Sequence, residues 1–324
     1  MSRYLVTGAA GFVGSRVTGL LLQGGHKVIG LDNLNDAYDV RLKNWRLDQL
    51  KGRPGFAFCE ADICDREALA AVLDQESGVE AVINLAARAG VRQSVDDPWI
   101  YFETNCTGTL NLLDVCVQRG IEKFVQASTS SVYGDSSAQP FHEELPSDRV
   151  LSPYAASKKA SEVLCHSYHH LHGIDITVLR YFTVYGPAGR PDMSLLRFVK
   201  WISEGEPVRV FGDGRQSRDF TYIDDIARGT LAALKKVGWE IINLGSDDPV
   251  ELLQVIGLVE SAVGRKAMIE HEPRHPSDVM KTWADISKAR KILQWEPETS
   301  IDQGIRNLIE WYRANRDWAR LIKL

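Results

Sequence analysis

The chain has 324 residues, 44% hydrophobic and 25% charged, with 38 Lys and Arg against 43 Asp and Glu for a net charge of -5. That balance excludes a disordered chain, a collagen-like repeat and a coiled coil. With no basic tail or long run of one sign, it also argues against a nucleic-acid binder or a polybasic membrane protein.

No apolar run approaches the roughly 18–20 residues that cross a bilayer, and the opening residues 1–8 are too short for a signal-peptide core. The five cysteines (Cys59, Cys64, Cys106, Cys116 and Cys165) are odd in number and lack CxxC spacing. They read as reduced thiols rather than a metal site, so a soluble cytoplasmic protein without metal is expected. At roughly 150 residues per domain the length suggests two lobes.

Residues 4–6 predict a strand running into glycines, and 18–22 continue a helical apolar face. Residues 27–31 predict a second strand ending at Asp32, and 56–58 a third, followed by a helix over 66–73. Strands are predicted at 81–85 and 123–127 with a helix over 101–119 between them, then a helix over 157–172 and a strand over 175–181. Short strands separated by helices indicate βαβ units: an α/β fold with a doubly wound parallel sheet.

After Tyr185 the pattern loosens into the turn-rich loop 186–191. Strands at 208–211 and 219–223 then mix with helices near 225–236, 251–263 and 301–314. The expected organisation is a Rossmann domain over 1–183 and a smaller α/β substrate-binding lobe mainly over 184–324. With no repeat or linker between them, the second lobe should pack directly on the first.

TGAAGFVG at 7–14 places Gly8, Gly11 and Gly14 directly after a strand and at the opening of a helix. A tight turn and bare backbone there let a pyrophosphate approach the amides and the positive helix end. Asp32 follows Gly14 by 18 residues at the next strand end, where an acid can bind both hydroxyls of an adenosine ribose. Its charge would repel a 2′-phosphate, which favours NAD over NADP. Asp62 and Ile63 could flank the adenine, and a plain loop acid is the alternative.

Tyr154 and Lys158 stand four residues apart, on one helical face after Pro153. A phenol is a poor base at neutral pH, but a neighbouring lysine and a positive nicotinamide favour its ionised form. That suits Tyr154 to proton transfer at an alcohol. The predicted strand over 123–127 leads into Ser128, Thr129, Ser130 and Ser131, whose hydroxyls would lie where ligands sit in a doubly wound sheet. The alternative, for some of the four, is a hydroxyl that satisfies backbone in a turn. The histidines at 166, 169, 170 and 172 have helical spacing, but before Gly173 they read as a helix-end cluster rather than a metal site.

On these motifs, together with LAARAGVRQS at 85–94, STSSVYG at 128–134, SPYAASKKASE at 152–162 and RYFTVYGPAGRPDM at 180–193, the chain resembles the extended short-chain dehydrogenase/reductases. Within them it resembles the NAD-dependent nucleotide-sugar epimerases, over essentially its whole length. The resemblance implies a catalytic set of Thr129, Tyr154 and Lys158. It implies an NAD site formed by Gly8, Gly11, Phe12, Val13, Gly14, Asp32, Asn33, Asp62, Ile63, Leu85, Ala86, Ala87, Asn105, Ser128 and Tyr181, with Tyr154 and Lys158. For a UDP-sugar it implies Arg88, Thr129, Ser130, Ser131, Thr183, Arg190, Gln216, Arg218 and Asp278.

DNLNDAYDVRLK at 32–43 and residues 181–193 look like UDP-glucuronate 4-epimerases. Thr183 stands where galactose 4-epimerases commonly have Asn. Ser130 and Ser131 replace the acids of the 4,6-dehydratases, and Ser131 the Glu of the decarboxylases, which argues against elimination and decarboxylation. Arg190 suits a carboxylate by charge and fork geometry; a solvated loop arginine is the alternative. For the second diphosphate contact, Arg274 and His275 are both candidates. The expected activity is conversion of UDP-glucuronate to UDP-galacturonate through a transient 4-keto sugar, by a homodimer joined through helices near 101–119 and 155–172. The rivals are a 4-epimerase of UDP-glucose/galactose or of a UDP-N-acetylhexosamine, and a silent NAD-binding regulator.

Overall fold

The computed structural model describes residues 1–274 and 278–324. In chain order its strands are β1 (Arg3–Thr7), β2 (Lys27–Asp32), β3 (Phe56–Glu60), β4 (Ala81–Asn84), β5 (Lys123–Thr129) and β6 (Asp175–Tyr181). There follow β7 (Thr183–Tyr185), β8 (Val208–Phe211), β9 (Ser217–Tyr222), β10 (Trp239–Leu244), β11 (Pro249–Glu251) and β12 (Ile269–Glu272). Seven of these form one sheet, in the order β10-β6-β5-β4-β1-β2-β3. Every pairing in it is parallel.

Alternation along the strands explains why both faces are covered. Leu5, Ile29, Val82, Phe124 and Ile176 are buried in one apolar layer. Val6, Val28, Ile83 and Val125, each one residue away, and Leu179, three away, are buried in the other. The strand order reverses between β1 and β4, which opens the crevice at their carboxyl ends where such sheets bind ligands.

Two further small sheets, β11-β9-β7 and β12-β8, carry the second lobe. Its core gathers Phe198, Val208, Phe220, Ile256, Leu308 and Tyr312. The chain leaves the large sheet after β6 and returns to it at β10, a strand that residue patterning does not single out.

Several predicted elements shift. The helix expected over 157–172 runs Pro153–His172, because the Ser152 hydroxyl caps it by accepting from Ala155 N and Pro153 sits in its first turn. The helix expected over 101–119 is interrupted: Pro98–Phe102 leads into a π-turn, Glu103–Thr107, and then Gly108–Arg119. Helices Val40–Asp48 and Ser194–Glu204 are additional. His166 and His169 pack against Trp239, and His169 Nδ1 meets Ile174 O at 2.8 Å. No helix among the described residues is long and apolar enough to cross a membrane. Among them, too, no three His, Cys, Asp or Glu side chains are grouped to hold a metal ion.

Candidate active site

The glycine turn follows β1 directly. Gly8 has φ +66°, and a Cβ there would lie 2.8 Å from Ala86 N. A side chain at Gly14 would collide with the Gly8 carbonyl, so this glycine lets the helix fold back on its own turn. Helix Phe12–Gln23 begins with no side-chain cap and no acid in its first turn. Its amides and positive end are therefore open to an anion.

Asp32 is buried at the end of β2, its carboxylate accepting from Ala10 N at 3.1 Å and Leu34 N at 2.9 Å. These bonds aim the acid at the glycine turn, as a ribose site requires. Lys43 Nζ lies 3.5 Å from Asp32 and tempers the charge that would repel a 2′-phosphate. Asn33 donates to Asp62 at 2.7 Å, and Cys64 N donates to Asp62 at 2.8 Å. Burial opposes ionisation of Asp62, yet these bonds hold its carboxyl below the usual range. Ile63 is buried beside this pair.

Leu85 and Ala86 donate their amides to Thr7 Oγ1 at 3.2 and 3.1 Å, which fixes the loop carrying Ala87 and Arg88. Asn105, in the π-turn, clamps that loop to helix Pro153–His172. It accepts from Arg88 N at 2.9 Å and donates to Arg88 O and to Ser157 Oγ at 3.0 and 2.9 Å. Two other residues expected to line the cofactor also use their polar atoms inside the protein. Ser128 Oγ donates to Glu162 at 2.6 Å, and the Tyr181 hydroxyl meets Thr230 Oγ1 at 2.8 Å. Tyr181 pairs with Thr129 across β5 and β6 and so fixes its height.

Thr129 ends β5, and its hydroxyl accepts from Ser131 N at 3.2 Å. Across from it stands Tyr154, half-buried, with its ring edge-on to Tyr101 at 6.1 Å. Burial pushes the Tyr154 phenol above its ordinary value, opposed by the Thr129 hydroxyl and the Arg190 charge, with Asp192 adding to the rise. Lys158 is 3% exposed. Burial brings its ammonium down to about 8, against the fields of Cys106, Cys165 and Glu162. In the protein alone, then, burial outweighs any help the lysine gives the phenol. This departs from the simple expectation that the Lys158 charge ionises its neighbour.

Behind this set lies an ion pair that motif reading does not include. Glu162, one turn beyond Lys158, accepts from Arg180 Nε and Nη2 at 2.9 and 2.8 Å, and both side chains are 2% exposed or less. It fixes β6 and the strand end at Ser128 against helix Pro153–His172.

On the opposite side, Gln216, Arg218 and Asp278 line one cleft with Phe211, Arg274 and Met280. Arg274 donates to Asp278 O; His275 lies outside the described residues. Arg92, also absent from the motif reading, pairs with Asp278 at 2.6 Å and stacks 3.7 Å over the Phe211 ring. Thr183 and Arg190 line a second cleft with Gly189 and Met193. Arg46, on helix Val40–Asp48, ties the two sides together. It donates to Ala188 O at 2.6 Å, to Ala10 O at 3.3 Å and to the Tyr38 hydroxyl at 2.7 Å.

A nucleotide cradle and a Thr–Tyr–Lys set thus meet at the switch point of one parallel sheet. Residues 4–245 match the model of the NAD dependent epimerase/dehydratase family. The chain belongs to this family. The family is NAD-dependent, so NAD is the cofactor. A curated relative, UDP-glucuronate 4-epimerase of Thermodesulfobacterium geofontis, is 55% identical over 325 residues and 100% of both chains. Among solved structures, UDP-glucuronic acid 4-epimerase from Bacillus cereus, in complex with UDP-glucuronic acid and NAD, superposes with a TM-score of 0.92. It is 39% identical, over 97% of this chain and 99% of that one. UDP-glucose 4-epimerase from Thermotoga maritima, with UDP-glucose, gives a TM-score of 0.89 at 33% identity, again over 97% and 99%.

Proposed function

We propose that the protein is an NAD-dependent UDP-sugar 4-epimerase that interconverts UDP-glucuronate and UDP-galacturonate. The observation that carries this reading is the setting of Tyr154, with the Thr129 hydroxyl and the Arg190 guanidinium both acting on its phenol. The first is suited to the sugar 4-oxygen, the second to a sugar carboxylate. The 55% identity to a UDP-glucuronate 4-epimerase supports the same substrate.

In this reading residues 1–183 hold the cofactor and 184–324 mainly hold the UDP-sugar. Gly8, Gly11, Phe12, Val13 and Gly14 cradle the pyrophosphate, and Asp32 takes the adenosine ribose. Oxidised NAD, when bound, would accept the hydride from sugar C4 and return it to the opposite face of the 4-keto carbon, and its positive charge would favour the phenolate. Tyr154 removes the 4-hydroxyl proton and returns it after the 4-keto sugar has turned about its diphosphate link. Thr129 donates to or accepts from that oxygen, and Lys158 holds the ribose next to the ring. Gln216, Arg218 and Asp278 anchor the UDP part while the sugar turns.

With glucuronate the intermediate is a β-keto acid. Arg190, Thr183, Ser130 and Ser131 hold its carboxylate near the carbonyl plane, away from the geometry that releases carbon dioxide. A second reading, 4-epimerisation of UDP-glucose, is favoured by one observation: Asp192 already pairs with Arg190, so a neutral hexose strands no charge.

The reading also places the protein in the cytoplasm, on five free thiols, and makes it a homodimer. Leu110, Val163 and Leu171 are 38%, 60% and 67% exposed on the helices expected to pair, a face suited to a second copy. Nuclear magnetic resonance of products from UDP-glucuronate, UDP-glucose and UDP-N-acetylglucosamine tests the assignment. Inversion at C4 of the glucuronate without net NADH is expected; pentose release or stoichiometric NADH would overturn it.

A further inference from the structure

The guanidinium suited to a sugar carboxylate already has a partner. Arg190 donates Nε to Asp192 Oδ1 at 3.0 Å and Nη2 to Asp192 Oδ2 at 2.5 Å. Its Nη2 also donates to Ala89 O at 3.1 Å. This is the fork geometry a substrate carboxylate would use. The two side chains are 23% and 19% exposed, so the pair is reachable from the cleft that Arg190 lines.

The loop that carries the pair is held in place. Ala188 takes a left-handed φ of +51°, and buried Arg46 binds the carbonyls of Ala188 and Gly189 at 2.6 and 3.2 Å. The backbone leading into Arg190 is therefore held, and a carboxylate that takes the Arg190 fork meets Asp192 already on it.

We propose that Asp192 is a specificity-determining residue: as the resident counter-ion of Arg190 it limits how strongly the pocket favours a sugar carboxylate over a hydroxymethyl group, and it offsets the Arg190 charge beside Tyr154. The inference rests on the reading of the site as a UDP-glucuronate 4-epimerase. With Asp192 present, Arg190 is never bare. A neutral sugar enters without stranding a cation, and an acidic sugar must share the fork and meet the charge of Asp192.

The charges around Tyr154 come from several elements. Thr129, Arg190 and Asp192 act on the phenol, and Tyr101 faces it while lying in the fields of Arg190, Asp192 and Arg88. Lys158 stands one turn along the same helix. Tyr38 acts on Arg190, and Asp192 acts on Arg197. Of these, Asp192 is the only carboxylate acting on Tyr154 and in contact with Arg190, among the described residues.

The test compares wild type, Asp192→Asn, Asp192→Glu and Arg190→Ala/Asp192→Asn on UDP-glucuronate and UDP-glucose across pH. Asp192→Asn should raise the glucuronate-to-glucose ratio of kcat/KM by roughly 5- to 20-fold, through KM for the glucuronate. The acid limb of its pH profile should move down by about 0.5–1 unit, because an uncompensated cation favours the phenolate. Asp192→Glu should keep the wild-type limb, and in the double variant the downward shift should vanish. An Asn variant that folds but lowers both sugars alike, with the limb unmoved, overturns the proposal; so does a fall in the ratio. Wild type that epimerises neither sugar would instead overturn the reading of the site.

Discussion

Tyr154→Phe removes one oxygen from the site and leaves its packing in place. The ring keeps its edge-on contact with Tyr101 at 6.1 Å, so melting should fall by no more than about 2–4 °C, as for a substitution that empties no cavity. The effect on chemistry is set by what else could carry the proton. Thr129 is an alcohol, far too weak a base at neutral pH, and its hydroxyl is already engaged by Ser131 N. The hydroxyl of Tyr101 lies 3.5 Å from Ala89 O, and burial raises its proton affinity too. With no substitute in reach, the loss should fall in the upper part of the usual range for a positioned acid/base, roughly 10³–10⁴ in kcat. That is about 4–5.5 kcal/mol of barrier at 1.36 kcal/mol per decade. Product formation from UDP-glucuronate, followed by nuclear magnetic resonance on enzyme of known cofactor content, measures it. Turnover within tenfold of wild type would remove Tyr154 from the proton path and with it the proposed mechanism.

Lys158→Met should impair turnover and move the limb belonging to Tyr154 upward. Lys158 is charged below about 8 and neutral above it, so the wild-type decline as pH rises through that value should be absent from the variant's profile. Arg190→Ala should lower kcat/KM for UDP-glucuronate by about 10- to 100-fold, the worth of a charged hydrogen-bonded pair discounted for partial exposure. UDP-glucose should lose less, and equal losses would return Arg190 to a role in the loop alone. Gly14→Ala should abolish NAD retention, read by acid release of nucleotide, because a Cβ there meets the Gly8 carbonyl of the same turn.

Much of the large sheet was legible because its signals are local. Apolar runs ending in glycine, Asp32 or hydroxyls mark β1, β2 and β5, and the register then brings Thr129 beside Tyr181. Helix Val40–Asp48 was not legible. It buries Lys43 and Arg46 as well as Leu42 and Leu47, so its inward face does not read as an apolar stripe. Strand β10 was missed because its place in the sheet is decided by β6, some 60 residues earlier, and not by its own pattern. The pairs Arg92–Asp278 and Arg180–Glu162 join segments that no spacing rule connects. Asp192 stands two residues from Arg190 in plain view. Only the structure shows that the two side chains face each other.

The structure also separates residues that a motif groups together. Ser128, Asn105 and Tyr181 belong to the expected cofactor wall, yet each gives its side-chain polar atoms to Glu162, the Arg88 backbone or Thr230. A buried polar group without a partner costs about 1–3 kcal/mol. Residues that set the wall's shape must therefore be satisfied from within, before any ligand arrives. Glu162 answers Ser128, Arg180 and Lys159, leaving Lys158 out of these bonds although it lies one turn away. Lys158 meets the same burial and responds by a weakened hold on its proton. Tyr154 does so by a strengthened one. Tyr154 is thus held neutral, and Lys158 keeps its charge only below about 8, until something charged and polar fills the crevice beside them. In the proposed mechanism that is the condition expected of side chains whose partners are ligands, and it distinguishes the pair from the framework that keeps it in place.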